Sequence, residues 1–159
     1  CVRAALTGHL VLSTLHTNDA SSAVTRLMDL GIEPFLLSPS LVMIVAQRLV
    51  RRLCQECREI YEPDHALKER ARLPEGRYYR AKGCAACRQT GYRGRVAIFE
   101  VLLAGSAIRE RISQRAHAEE IRNAARSQGM KTLFESGVEK AAQGVTSLEE
   151  VFSITVADS

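Results

Sequence analysis

The first clear pattern along the chain is an apolar run, His9-Leu-Val-Leu-Ser-Thr-Leu15, rich in leucine and β-branched residues and ending at a polar cluster. Such a run predicts a buried strand. Thr17-Asn18-Asp19 then offers helix N-caps, and Ala20, Val24, Leu27 and Met28 follow at helical spacing up to a terminating Gly31. Ser38-Pro39 looks like a cap with proline in the first turn. It predicts a second helix with a stripe of Leu41, Ile44, Val45 and Leu49, and with Arg48, Arg51 and Arg52 grouped on another side. Further on, Gly91-Tyr-Arg-Gly94 reads as a tight turn and residues 95–102 as a returning strand. The remainder reads as helices carrying Ile108 and Ile112, then Ile121, Ala124 and Ala125 up to Gly129, then Leu133, Val138 and Ala141 up to Gly144. Thr146-Ser-Leu-Glu149 is a capping box for a final helix. One strand followed by many helices predicts an α/β class with a C-terminal helical subdomain.

Four cysteines change this picture most. Cys54-Gln-Glu-Cys57 and Cys84-Ala-Ala-Cys87 are two CxxC knuckles separated by 26 residues. Each can present two thiolates to one ion, and four thiolates close a tetrahedral zinc shell with no open position, so such a site is structural. The separation exceeds the usual spacing of a compact ribbon, which implies a zinc module with an inserted excursion. That excursion carries a short charged helix-like stretch and a turn at Pro74-Glu-Gly76. Two disulfides or redox-active CxxC motifs are the other uses of these residues. The chain shows no secretory signal, which disfavours disulfides, and a redox CxxC needs no second pair.

Composition adds less. Hydrophobic residues make up 46% and charged residues 25%, ordinary for a soluble intracellular protein with a real core. No apolar run approaches the ~20 residues of a membrane span. The first residue is Cys1 and not Met, which suggests a piece of a longer protein. Net charge is +4, but residues 48–95 hold 13 Lys or Arg against 6 Asp or Glu. A basic surface around the cysteines can meet phosphate or anionic lipid, or can simply be solvated charge beside four thiolates. It also keeps open a second function, a zinc-ribbon module for nucleic acid. Arg58, Arg88, Arg93 and Arg95, with Tyr61, Tyr78, Tyr79 and Tyr92, would then supply phosphate contacts and stacking. Only 5% of the chain is aromatic and no base-reading helix is apparent, so nucleic acid is not the expected partner.

Several motifs together resemble one family. Ala5-Leu-Thr-Gly-His-Leu-Val-Leu-Ser-Thr-Leu-His-Thr-Asn-Asp-Ala20 is similar to the histidine box of the secretion ATPases, the motors of type II secretion and type IV pilus assembly. The resemblance runs in order through Ala46-Gln-Arg-Leu-Val-Arg-Arg-Leu-Cys54, Gly83 to Arg95, Gly129-Met-Lys-Thr-Leu133 and Gly144-Val-Thr-Ser-Leu-Glu-Glu-Val151. The tetracysteine insert points to the secretion and pilus-assembly branch. The resemblance implies the C-terminal part of a RecA-like P-loop NTPase domain. Residues 1–53 would belong to the ATPase core, 54–96 to the zinc module and 97–159 to a helical subdomain. It further implies a cytoplasmic homo-hexamer, peripheral at the inner membrane. That motor would use ATP and Mg²⁺ and dock on the cytoplasmic domain of an inner-membrane secretion or pilus component, with acidic lipid as a further partner.

Of the histidines, His16 in Thr14-Leu-His-Thr17 is the first choice for the phosphate end of a nucleotide, with His9 second and with Thr14 and Thr17 assisting. A satisfied structural role is the plainer reading of each. An odd separation on an uninterrupted strand would put the two imidazoles on opposite faces. The chain contains no GxxxxGK[ST] loop and no Gly-Lys dipeptide. Without that cradle of backbone N–H groups and its lysine, this chain alone is expected not to hydrolyse ATP.

Overall fold

A computed structural model describes residues 1–155. The chain forms two compact units, Cys1–Ala46 with Glu100–Lys131, and Gln47–Phe99 with the described part of Thr132–Ser159. The class is mixed α/β with small sheets. Two long strands, β1 (Met43–Leu53) and β4 (Tyr92–Leu103), pair with each other. Cys54 N–H donates to Gly91 O at one end (2.9 Å) and Ala104 N–H to Val42 O at the other (2.9 Å), so the two run antiparallel.

The first unit is mostly helical. It contains α1 (Val2–Leu6), α2 (Ala20–Asp29), α3 (Pro34–Ser40), α5 (Ser106–Ser113) and α6 (Ala118–Ser127). Its core joins Ala20 and Val24 of α2, Leu37 of α3, Leu102 of β4, Ile108 and Ile112 of α5, and Ile121 and Ala125 of α6. Asp19 caps α2, accepting from Ser22 N–H at 2.7 Å, and Gly31 follows the helix with φ +84. Both positions match the sequence expectation.

Other expectations fail, among them the tight turn at Gly91–Gly94, since Tyr92–Gly94 already belong to β4. Residues 9–17 form no strand. A strand is a shared structure that needs a hydrogen-bonding neighbour, and among the described residues none pairs with this segment. Leu10 and Leu12 are 85% and 87% exposed. The second helix runs Pro34–Ser40 with Glu33 at its N-cap, so Ser38 and Pro39 lie in its last turn and do not start it, and residues 43–53 form β1 instead. Ile44, Ala46, Arg48 and Val50 alternate as the more covered positions, with Met43, Val45, Gln47 and Leu49 exposed. This period of two was hidden because both faces carry apolar residues, so a period near 3.6 could be traced through them as well.

The second unit holds β2 (Glu59–Tyr61), α4 (His65–Ala71), β3 (Tyr78–Arg80), α7 (Leu133–Ala142) and α8 (Leu148–Thr155). β2 and β3 pair antiparallel, with Glu59 opposite Arg80 and Tyr61 opposite Tyr78. Tyr78, Val138, Ala141, Leu148 and Val151 form its apolar core, with Phe134 and Phe152 packed beside it, 5.3 Å between ring centroids. α7 opens on a capping box: Glu135 N–H donates to Thr132 Oγ1 (3.2 Å) and Thr132 N–H to Glu135 Oε2 (2.8 Å). The cap of α8 falls one residue later than expected. Ser147 Oγ accepts from Glu150 N–H (3.2 Å), while Thr146 Oγ1 donates to Arg51 O (2.8 Å).

Candidate metal centre and histidine segment

The four expected metal ligands meet in the second unit. The Sγ atoms of Cys54, Cys57, Cys84 and Cys87 all lie within 4.8 Å of one another. Three separations are 3.9 Å (Cys54–Cys84), 3.8 Å (Cys57–Cys87) and 3.7 Å (Cys84–Cys87). A tetrahedron of sulfurs each about 2.3 Å from zinc has edges of about 3.8 Å, so the set fits that ion. Disulfide sulfurs would be about 2 Å apart, and all five cysteines are unbridged.

The chain builds this cluster from two tight turns. The first knuckle follows directly from β1. The second forms a 3-10 turn at Ala85–Cys87 and leads into β4 through Gly91. Gly91 has φ +75, and a Cβ there would stand 2.5 Å from Ala81 Cβ, so only glycine lets the second knuckle pass this close. Backbone N–H groups aim at the sulfurs: Cys84 N–H at Cys87 Sγ (3.2 Å) and Gly91 N–H at the same atom (3.1 Å). The consequence is an uneven sharing of protons. Burial and the neighbouring thiols outweigh a hydrogen bond from Gly83 and push the Cys57 thiol up to about 12. At Cys87 burial works the same way, but the N–H groups of Cys84 and Gly91 prevail and hold the thiol down at about 6. A metal must displace the remaining protons, so its affinity rises with pH.

The histidine segment is different in kind. His16 and Thr17 line an open depression of about 300 Å³ with Asn18, Ser22, Thr25, Arg26 and Asp29 of the α2 region. His9 and Thr14 are not among the residues lining it. His9 is exposed, with Nδ1 3.2 Å from Thr7 Oγ1, and Thr14 is exposed too. Thr17 Oγ1 donates to Asp19 O (3.2 Å). The structure therefore brings His16 and Thr17 to one surface and leaves His9 and Thr14 outside it.

A family model for type II/IV secretion system proteins matches residues 1–153. The chain belongs to that family. It is 49% identical over 158 residues to the type IV pilus assembly ATPase PilB of Thermus thermophilus, covering 96% of this chain and 18% of that protein. It is 48% identical over 154 residues to the type II secretion system protein HxcR of Pseudomonas aeruginosa, 97% of this chain and 30% of that protein. It is 48% identical over 160 residues to the type II secretion system ATPase E of Vibrio cholerae, 97% of this chain and 31% of that protein. The chain thus spans under a third of the length of each of these secretion-family relatives.

Sequence reasoning missed the acidic residues that hold the two regions of this secretion-family chain in place. Glu100 is 2% exposed and accepts from Ala20 N–H at 2.8 Å, satisfying the first turn of α2. Asp19, besides capping α2, pairs with Arg122 at 2.7 Å. Glu150 is 4% exposed and accepts from Arg51 N–H (2.9 Å) and Arg51 Nε (2.8 Å). The Arg51 guanidinium also lies 4.1 Å over the Tyr92 ring. Glu100 left a signal, a lone carboxylate inside the apolar run of β4. Glu150 left none, because Glu149 beside it looks the same in the sequence.

Proposed function

We propose that this chain is the C-terminal part of a hexameric cytoplasmic ATPase that powers type II protein secretion or type IV pilus assembly. The observation that carries this reading is near-50% identity, along almost the whole chain, to proteins named as secretion and pilus-assembly ATPases. Residues 1–53 would complete the RecA-like core, 54–96 form the zinc module and 97–159 the helical subdomain. The motor would work at the inner membrane on the cytoplasmic domain of a membrane-bound partner, with acidic lipid as a second contact and no nucleic acid.

Within that motor His16 would face the phosphate end of the nucleotide. An exposed imidazole on the rim of an open depression can donate to charge as it develops on a leaving phosphoryl group. Thr17 shares that depression, which supports it as the accompanying hydroxyl. Thr14 and His9 stand further down the order, since neither lines the depression. Bound ATP and Mg²⁺ would supply the phosphoryl-transfer chemistry itself. Cys54, Cys57, Cys84 and Cys87 would hold one zinc, whose closed thiolate shell leaves no position for catalysis. Its work is to tie together the two ends of a charged excursion whose apolar anchors are few, chiefly Tyr61, Leu67, Leu73 and Tyr78.

The test compares the chain with the longer protein that contains it. The longer protein should hydrolyse ATP, and the 159-residue chain should not, because it has no phosphate loop. ATP turnover by the chain alone would overturn the division of labour. A longer protein with an intact phosphate loop and no turnover under any nucleotide condition would overturn the motor itself.

A further inference from the structure

The corner between α7 and α8 is built around one glycine. Gly144 has φ +69 and is the second residue beyond the end of α7. Its N–H donates to Ala141 O (2.9 Å) and the N–H of Val145 donates to Lys140 O (3.0 Å), the paired bonds of a Schellman motif. The Gly144 carbonyl accepts from Arg58 Nη1 at 2.7 Å. Arg58 directly follows Cys57, and its own N–H donates to Cys54 O (3.1 Å), so its guanidinium is rooted in the first knuckle. That guanidinium lies 4.4 Å over the Tyr79 ring. A Cβ on Gly144 would stand 2.8 Å from Tyr79 Cε2 and 2.9 Å from Arg58 Nη1. Backbone, cation and ring are in close contact, and only glycine leaves room. The cation also faces the negative end of the α7 dipole.

We propose that occupancy of the tetracysteine centre sets the order of the α7–α8 corner, and that Arg58 is the positioning residue that carries the effect. This rests on the reading of the four cysteines as a metal site. Two groups of contacts reach the corner, and they depend on the metal differently. Leu53 N–H to Val145 O (2.9 Å), Thr146 Oγ1 to Arg51 O, Glu150 to Arg51, and Tyr92 Oη to Ser147 Oγ (2.7 Å) all come from β1 and β4. Those strands are held by their own ladder. Arg58 is held on one side by the knuckle turn, which the metal bonds fix, and on the other by β2, a three-residue strand paired with β3. When the metal leaves, Cys54 and Cys57 lose the bonds that lock that turn. The root of Arg58 then moves, and its hydrogen bond and stack are lost together. Loosening should therefore fall on Gln143 to Val145 and spare α8. Linkage runs both ways, so a corner held by Arg58 also favours metal retention.

Amide hydrogen exchange on the chain tests this, with zinc content measured on the same samples. Stripping zinc with excess EDTA under a thiol reductant should speed exchange at Gly144 and Val145 about tenfold, as expected for losing a charge-assisted hydrogen bond. The Val151 amide, bonded to Ser147 O, should change by less than about twofold. Arg58→Gln loaded with one zinc should already show fast exchange at Gly144 and Val145, with little more on stripping. Tyr79→Leu, which removes only the stack, should fall between the two and guards against misfolding of the first variant. Slow exchange in zinc-loaded Arg58→Gln would overturn the proposal. So would an unchanged corner in the stripped wild-type chain, or a uniform loss of protection across residues 132–155. A chain that binds no zinc would overturn both this and the metal reading. Loss or retention of ATP turnover in the longer protein bears on the motor alone and leaves the coupling unaffected.

Discussion

The two candidate sites of this chain are assembled by opposite strategies. The tetracysteine centre draws all four ligands from two short turns, and the surrounding backbone supplies N–H groups to the sulfurs at 3.1–3.2 Å. Everything the site needs is local to those turns and to the strands that meet beside them. The histidine segment has no such closure. Residues 9–17 adopt no regular element, Leu10 and Leu12 face outward, and His16 stands at the edge of an open depression. A metal centre made of paired ligands carries its own scaffold. A histidine on an unpaired segment has no such scaffold of its own.

The largest effect should come from removing one thiolate. Cys84→Ser should take bound zinc from about one equivalent to near zero, because three ligands cannot close the shell. Limited proteolysis should then cut within residues 62–80 while α5 and α6 stay protected. Undiminished zinc in the variant would move the centre elsewhere and erase the contrast just drawn. Next in size is His16→Ala in the longer protein. ATP turnover should fall about 100-fold with little change in nucleotide affinity, the pattern of a contact made as charge redistributes. His9→Ala should have a much smaller effect, since His9 lies outside the depression. Steady-state kinetics on correctly assembled protein separates the two, and equal losses would remove His16 from its special position.

A third effect belongs to the second unit. Burial alone would raise the Glu150 carboxyl, but its hydrogen bonds and ion pair with Arg51 prevail and hold it below the ordinary carboxylate range. A depressed carboxyl stabilises the folded state above its unfolded-state pKa. That contribution disappears as pH falls through the lower, folded-state value. Thermal melts should thus lose stability on acidification below about pH 4, and Glu150→Gln should flatten that part of the profile. At neutral pH Glu150→Ala should cost about 2–3 kcal/mol, because Arg51 loses a charged partner. The smallest effect is on the histidine segment. Leu12→Ser should change stability by less than about 0.5 kcal/mol, since an 87% exposed side chain buries almost nothing. It should nonetheless reduce weak self-association in light scattering, because exposed apolar patches promote contact between copies.

The contrast between the regions also explains what could be read in advance. Helices with one apolar stripe and clear stops, such as α2 with Asp19 and Gly31, were legible because cap and period agree. The cysteine knuckles were legible because ligand spacing is a local property. β1 was not, because Ile44, Val45 and Leu49 satisfy two periods at once and only the partner β4 selects one. Residues 9–15 were misread for a related reason: leucine and β-branched content reports a preference for pairing, and pairing requires a second strand. Glu100 stood out as a lone carboxylate in an apolar run and Glu150 did not, and neither partner could be named because Ala20 and Arg51 lie far away along the chain.

The pairing of β2 with β3 has a practical consequence for length. Tyr61 meets Tyr78 and Glu59 meets Arg80, so the ends of the intervening stretch are fixed whatever lies between them. For a loop with pinned ends, the entropic penalty grows only as the logarithm of its length, and doubling it costs about 0.6 kcal/mol. The exposed Arg72 lies within that stretch, at the C-terminal end of α4. An epitope or fluorophore-binding peptide spliced in after Arg72 should therefore be carried with a stability change of this small order, whereas Glu75 is a poor site because the neighbouring Gly76 packs against Ala142 of α7. That makes the excursion a handle by which the tetracysteine module can be followed.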